Sequence, residues 1–329
     1  MRIRYGAAAK HIRKGRQLLT IKSLLGKKWL WSYIGALAVF GVIAARSSNP
    51  FATLSASTTF ASFYILVGIG QMLVITTGPG NIDLSIPYTI SFAGFVAFRV
   101  MGESNLNIPQ GVLLGLLAGA AVGACNYTLI RFIRMPPMIA TLVFSFIIRS
   151  VTIYYFRGMQ IKSPAGLAWF VNRRVLEVPV IFIFAVAMAA MMQLVLSRTA
   201  YGRYIHAIGQ NIKAAWLCGI NVKRSKLITY MLSGVFAGLT GILLAAFTGG
   251  ATLDMGGEYM LYSIAVVVMG GSSIAGGDSN VIGIVGSAVL LYLIVNLLNM
   301  ENMGAGWRYI FTGIVIVGTI FLGGEKMRR

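Results

Sequence analysis

Long apolar runs alternate along this chain with short polar breaks, and most runs approach the length of a bilayer crossing. A spanning helix needs ~20 mostly apolar residues, fewer where flanking side chains reach the interface. Ten stretches qualify: 30–46, 54–77, 83–101, 110–133, 138–156, 178–197, 227–249, 258–272, 280–299 and 306–323. The eighth is short, and the second and third nearly touch. The pattern predicts an all-α integral membrane protein of about ten transmembrane helices over residues 30–323. A basic segment, 1–29, precedes them and a short tail, 324–329, follows.

Composition supports lipid as the main solvent. Of 329 residues, 57% are hydrophobic and only 11% charged. A soluble domain carries about a quarter charged residues, so a water-facing surface cannot be built here. The formal charge of +20 raises nucleic acid as a partner. That function needs the basic residues gathered on one solvated face, whereas here they sit in short patches between apolar runs, which argues against it. Cys125 and Cys218 lie far apart with no metal-ligand spacing, so two free thiols are expected.

The basic patches set the orientation. Under the ten-span reading, twenty of the 28 Lys and Arg fall on one side. They lie in the leader, at Arg131 and Arg134, in the sixth-to-seventh loop and in the tail. The crowded side is cytoplasmic, which places both termini in the cytoplasm. The first run is read as an uncleaved helix, because its basic leader exceeds a normal signal-peptide n-region. That leader, with Leu18, Leu19, Leu24 and Leu25 among its cations, suits the inner membrane surface. The long external loop 157–177 has room for a short interfacial helix.

Small residues recur at four-residue spacing, at Gly115, Gly119 and Gly123 and again at Gly234 and Gly238, a pattern that lets helix backbones approach closely. Two segments interrupt the apolar runs with glycines and one Asp each, 76–87 and 269–280. Loose backbone at membrane depth needs protein or a water-filled path around it. Asp83, Ser85, Gly270, Gly271, Gly276, Gly277 and Asp278 are therefore gate or helix-break candidates. Helix capping is the plain reading of Asp83 and Ser85; gate contacts and proton coupling are the others. Gln71, Asn126 and Asn296 are candidates for lining a translocation path, or equally for helix-to-helix hydrogen bonds. Arg149 is nearly the only charge inside a span. Intramembrane carboxylates that would carry a coupling ion are missing, so the energy for any transport comes from elsewhere.

The polar, basic loop 198–226 between the sixth and seventh runs holds the densest information. Ile205, Ile208, Ile212, Ala215 and Trp216 follow helical spacing, with His206, Gln210, Asn211 and Lys213 off that stripe. Gly209 and Gly219 break or bound the helix, giving two short pieces. Such a stripe suits either an interfacial helix on lipid headgroups or a helix laid into a groove of a cytosolic subunit. His206 has no Ser, Cys or carboxylate placed to make a catalytic dyad.

The segment from Tyr201-Gly-Arg-Tyr-Ile-His-Ala-Ile-Gly-Gln-Asn to Cys218-Gly-Ile-Asn-Val resembles the coupling-loop signature of permeases of type II ATP-binding cassette (ABC) importers, in the ribose, xylose and autoinducer sugar family. Gly202, Arg203, Ala207, Gly209, Asn211, Ala214, Ala215, Gly219 and Ile220 match it. Asn81-Ile-Asp-Leu-Ser-Ile and Met269-Gly-Gly-Ser-Ser-Ile-Ala-Gly-Gly, with Gly283 and Gly286, resemble two further family segments in the same order. Asn81, Pro87, Ile284 and Ser287 depart from the usual residues.

The resemblance implies a permease subunit with ten helices, paired with an identical or homologous second copy in the bacterial inner membrane. It also implies cytosolic ABC ATPases carrying ATP and Mg, and an external binding protein delivering a small polar solute. Gly202, Arg203, Ile205, His206, Ala207, Ile208, Gly209, Asn211, Ala214, Ala215, Gly219 and Ile220 would form the ATPase-coupling surface. The chain has no G-x-x-x-x-G-K-[ST] phosphate loop and no catalytic constellation, so no cofactor is expected in this subunit and any ATP site lies elsewhere. The rival readings are a secondary transporter acting alone, an ABC permease for branched-chain amino acids, and a membrane scaffold without transport.

Overall fold

The computed structural model describes residues 29–301 and scattered positions from 303 to 317. The basic leader before Trp29, the last part of the tenth stretch and the tail lie outside the described residues. Helices dominate, and their bounds follow local chemistry. Helix α1 spans Leu30–Arg46, and α2 spans Pro50–Thr76. Pro50 opens α2 at a position where its missing N–H costs nothing, and the Asn49 side chain accepts from the Ala52 N–H at 3.2 Å. Helices α3, Ile86–Met101, and α4, Ile108–Thr128, follow; α4 runs on into a π-helical turn, Leu129–Ile133. Then come α5, Pro137–Phe156, α6, Ala165–Asn172, and α7, Val180–Arg198. Helix α6 is the short helix expected in loop 157–177. It leads into a hairpin of two-residue strands, β1 Arg174–Val175 and β2 Val178–Pro179, which with an isolated bridge between Lys162 and Gly250 departs slightly from an all-helical plan.

Helices α8, Ala200–Gln210, and α9, Ile212–Leu217, make up the polar loop. The chain continues through α10, Val222–Thr248, α11, Tyr259–Met269, and α12, Val281–Met300. Nine of the ten expected stretches thus fall on helices. Six are long and apolar enough to cross a membrane, while α1, α3 and α11 are shorter apolar helices. Helix α10 begins five residues before the expected stretch because Asn221 caps it, its side chain accepting from the Arg224 N–H at 3.0 Å.

Helix α2 is the centre of the bundle, buried on nearly every side, and its sequence suits that place. It is apolar all round, and several of its hydroxyls are satisfied within the helix: Ser57, Ser62 and Thr76 each donate to the carbonyl four residues back at 2.7–2.8 Å. Helix α10 packs on α2, α3 and α4. At its seam with α4, a Cβ on Gly119 would strike the Gly234 carbonyl, and one on Gly234 would strike the Gly119 carbonyl. The four-residue glycine pattern in both helices therefore marks one mutual backbone contact.

Helices α3 and α11 each begin part-way through the bundle after a stretch of irregular chain, 77–85 and 249–258 respectively. Both irregular stretches meet the first turn of α3, since 77–85 runs directly into it and Gly256 packs against the Pro87 carbonyl.

Candidate functional site: a docking helix tied to two helix breaks

The three segments singled out in the sequence come together at one end of the bundle. Helix α8 is capped by Thr199, and α9 by Asn211, whose side chain accepts from the Lys213 and Ala214 N–H groups at 3.0 Å each. The break between the two pieces falls at Asn211, whose extended backbone ends α8. It does not fall at Gly209, which lies inside α8 and serves another purpose. A Cβ there would strike the Thr76 carbonyl at the end of α2 and the Gly277 backbone. Only glycine lets α8 close on both. Gly219 does bound α9, with φ 81° in the left-handed region just past its end.

Hydrogen bonds fix this junction. The Gly277 N–H donates to the Thr76 carbonyl at 2.9 Å, stitching the 269–280 turn to α2. His206 Nδ1 lies 2.6 Å from the Gly202 carbonyl, which only accepts, so Nδ1 carries the proton. Nε2 makes the second bond, to the Ser279 hydroxyl at 2.9 Å, accepting from it in the neutral ring. At the other end of α8, the Tyr201 hydroxyl bonds Thr229 of α10 at 2.9 Å. Burial pushes the Tyr201 phenol up to about 12, against a smaller lowering by that bond, so it stays neutral at working pH. Helix α8 is thereby attached to α10 at its start and to both α2 and the α11–α12 turn at its end.

The stripe does not face one way. Ile205, Ile208 and Ala215 are buried at 0%, 2% and 3% exposure, as are Gly202 and Gly209, all against this subunit. These five are not open to direct partner contact, because this subunit itself covers each of them. The outward surface lies on α9, where Ile212, Trp216 and Leu217 are 45%, 68% and 77% exposed. Arg203, Asn211, Ala214 and Gly219 are also exposed, while His206, Ala207 and Ile220 are intermediate. A hollow of about 590 Å³ opens between α9 and the start of α10, lined by Ile212, Trp216, Ile220 and Val222 together with Lys213 and Lys223. Leu217 and Ser279 were not singled out in the sequence. Leu217 lies off the helical stripe, and Ser279 becomes notable only through its partner, although the pair Trp216-Leu217 in a polar loop was a visible signal.

The two aspartates separate. Asp83 is buried, and Oδ1 accepts from the Ser85 backbone N–H at 3.0 Å and the Ser85 hydroxyl at 2.6 Å. Its Oδ2 accepts from Ser233 of α10 at 2.8 Å. Ser85 in turn accepts from Asn126 Nδ2 of α4 at 2.7 Å. Asp83 thus closes an Asx turn and ties three helices, in place of capping α3; Ser85 occupies the cap position without a side-chain cap bond. Asp278 is exposed and lies beside the docking junction. Gly276 and Gly277 take left-handed φ values of 85° and 77° in that turn, and Gly270 packs on Gly283 where α11 meets α12.

None of the three path candidates is an exposed residue of this subunit. Gln71 and Asn126 are 0% exposed within the bundle, and half-buried Asn296 donates to Ser57 at 2.8 Å. The reason is their position on faces that pack against other helices of this subunit.

A bundle of apolar helices with a polar, doubly anchored docking element is the architecture of a multi-pass membrane permease. A family model described as "Branched-chain amino acid transport system / permease component" matches residues 53–320, and the chain belongs to that family. Among similar proteins, the ribose import permease protein RbsC of Escherichia coli K12 is 32% identical over 95% of this chain and 98% of its own length. The autoinducer 2 import system permease protein LsrC of Enterobacter sp. strain 638 is 29% identical, covering 93% and 89%. The fructose import permease protein FruF of Bifidobacterium longum is 26% identical, covering 94% and 91%. The chain is accordingly a non-catalytic permease subunit of the ABC importer class, located in the inner membrane.

Proposed function

We propose that this chain pairs with an identical or homologous permease to form the path of an ATP-driven importer for a sugar or sugar-like solute. An external binding protein delivers the solute, and ATP and Mg sit on separate cytosolic ATPases. Ten crossings with both termini cytoplasmic fit the charge pattern. Helix α11, of 11 residues, is only ~16 Å long, so the eighth crossing needs the irregular stretch 249–258 to complete it.

The observation that carries the proposal is the division of the polar loop into an exposed apolar tip and an anchored stem. The tip, at Trp216 and Leu217, offers a partner a large apolar surface. The stem, α8, is bonded to α10 and the α11–α12 turn and packs through Gly209 on the end of α2. When the ATPases close on ATP, α9 moves with them and α8 transfers that motion to the helix breaks. Packed helices then rock as units around the path. Sugar cargo is favoured by the ribose and fructose import relatives, while the family description keeps branched-chain amino acids as the second reading.

Substitutions on the tip test the proposal. Ala215→Glu would disturb this subunit, since Ala215 is buried. Trp216→Glu and Leu217→Glu alter only exposed positions. The wild type should co-purify with an ABC ATPase and both variants should lose it while keeping the same elution profile in detergent. An ATPase retained by both variants would refute the docking assignment.

A further inference from the structure

An ion pair on an open face of the bundle joins a membrane-spanning helix to an irregular stretch. Arg149 is twelve residues into α5, ~10 Å short of its Phe156 end by helical rise. Its guanidinium is 3.4 Å from Asp254 Oδ1 and lies over the Tyr88 ring, 5.2 Å from the centroid. The side chains of Arg149 and Asp254 are 44% and 75% exposed. Tyr88 is in the first turn of α3, so the cluster sits well below the level of Phe95, whose ring stacks on Phe156.

A second observation concerns the backbone. Asp254 belongs to the irregular stretch 249–258, which descends until Gly256 meets the Pro87 carbonyl. Thr252, Asp254, Gly257 and Glu258 on that stretch are exposed. Lipid disfavours both an exposed ion pair and exposed irregular backbone at this depth. Each observation alone excludes hydrocarbon from this face, and they fall on the same patch.

We infer that Arg149, Asp254 and Tyr88 form a solute-contact site on the wall of the translocation path, suited to a neutral polyhydroxylated molecule. This rests on the permease reading above, with the opposite wall supplied by the second permease. The guanidinium donates to hydroxyl oxygens, the carboxylate accepts from hydroxyls, and the tyrosine ring offers a flat face to the C–H side of a sugar ring. Their opposite charges offset each other, which disfavours an ionic solute of either sign.

Cysteine labelling of the full chain in its native membrane tests this without knowledge of the cargo. In a Cys125→Ser, Cys218→Ser background, Thr252→Cys and Ser150→Cys are exposed to membrane-impermeant cationic and anionic methanethiosulfonates. Both should react within about tenfold of Gln160→Cys outside the spans. In the Thr252→Cys protein, adding Arg149→Met should shift the ratio of rates several-fold toward the cationic reagent, and adding Asp254→Asn toward the anionic one. Rates as low as those of Leu114→Cys, on the exposed apolar face of α4, would overturn the inference. So would a ratio unmoved by either substitution. These readouts involve neither the ATPase nor a chosen sugar, so their failure is distinct from failure of the proposed function.

Discussion

Asp83 shows how a single carboxylate can organise a helix break. It gathers the Ser85 backbone and hydroxyl and the Ser233 hydroxyl, and through Ser85 it reaches Asn126. Each buried donor left without an acceptor costs about 1–3 kcal/mol. Asp83→Ala should therefore lower the thermal unfolding midpoint in detergent more than Ser233→Ala does, with Asp83→Asn between them. Equal midpoints for all three would remove Asp83 from its organising role. Tyr201 is a milder case. Its phenol, held neutral by burial, contributes one hydrogen bond to Thr229, and Tyr201→Phe should cost about 1 kcal/mol with no dependence on pH between 6 and 9, roughly the range far below its titration. The same melts, run across that range, check it.

At the scale of elements, the α4–α10 seam and the α8 notch follow one rule. Backbone approaches backbone only where a side chain is missing, and lipid gives the helices no hydrophobic reason to associate otherwise. Gly234→Leu places a side chain against the Gly119 carbonyl, and the expected outcome is loss of a monodisperse peak in size-exclusion chromatography. Gly41→Ala in α1 is the contrast, because nothing lies within 4 Å of a Cβ there. It should leave the peak unchanged or gain up to about 1 kcal/mol of helix propensity. Both glycines belong to apolar helices, so the contrast isolates packing from composition.

For the whole molecule, the helices, the two broken segments and the polar loop were legible in the sequence because the bilayer restricts the choices so severely. Apolar runs have to be helices, and a Gly-rich break with an Asp has to be explained. Direction was less legible. Ile205, Ile208 and Ala215 carry the periodicity of a partner-facing stripe, yet they bury against this subunit, since periodicity marks an apolar face without saying what covers it. Gln71 and Asn126 were hidden for the same reason, polar residues within spans being equally suited to a path and to a packed interior. Arg149 was noticed as a lone charge, but its partner comes from a stretch more than a hundred residues away. On the proposed function, these parts are united by transmission from an exposed tip through α8 to the helix breaks, and His206 to Ser279 is the bond that joins α8 to the α11–α12 turn. The most direct measurement is solute import per ATP hydrolysed in the assembled importer, comparing wild type with Ser279→Ala and His206→Phe. Both variants should keep their ATPase and hydrolyse ATP while import per ATP falls several-fold. Import that stays in proportion to hydrolysis in both would contradict transmission through α8.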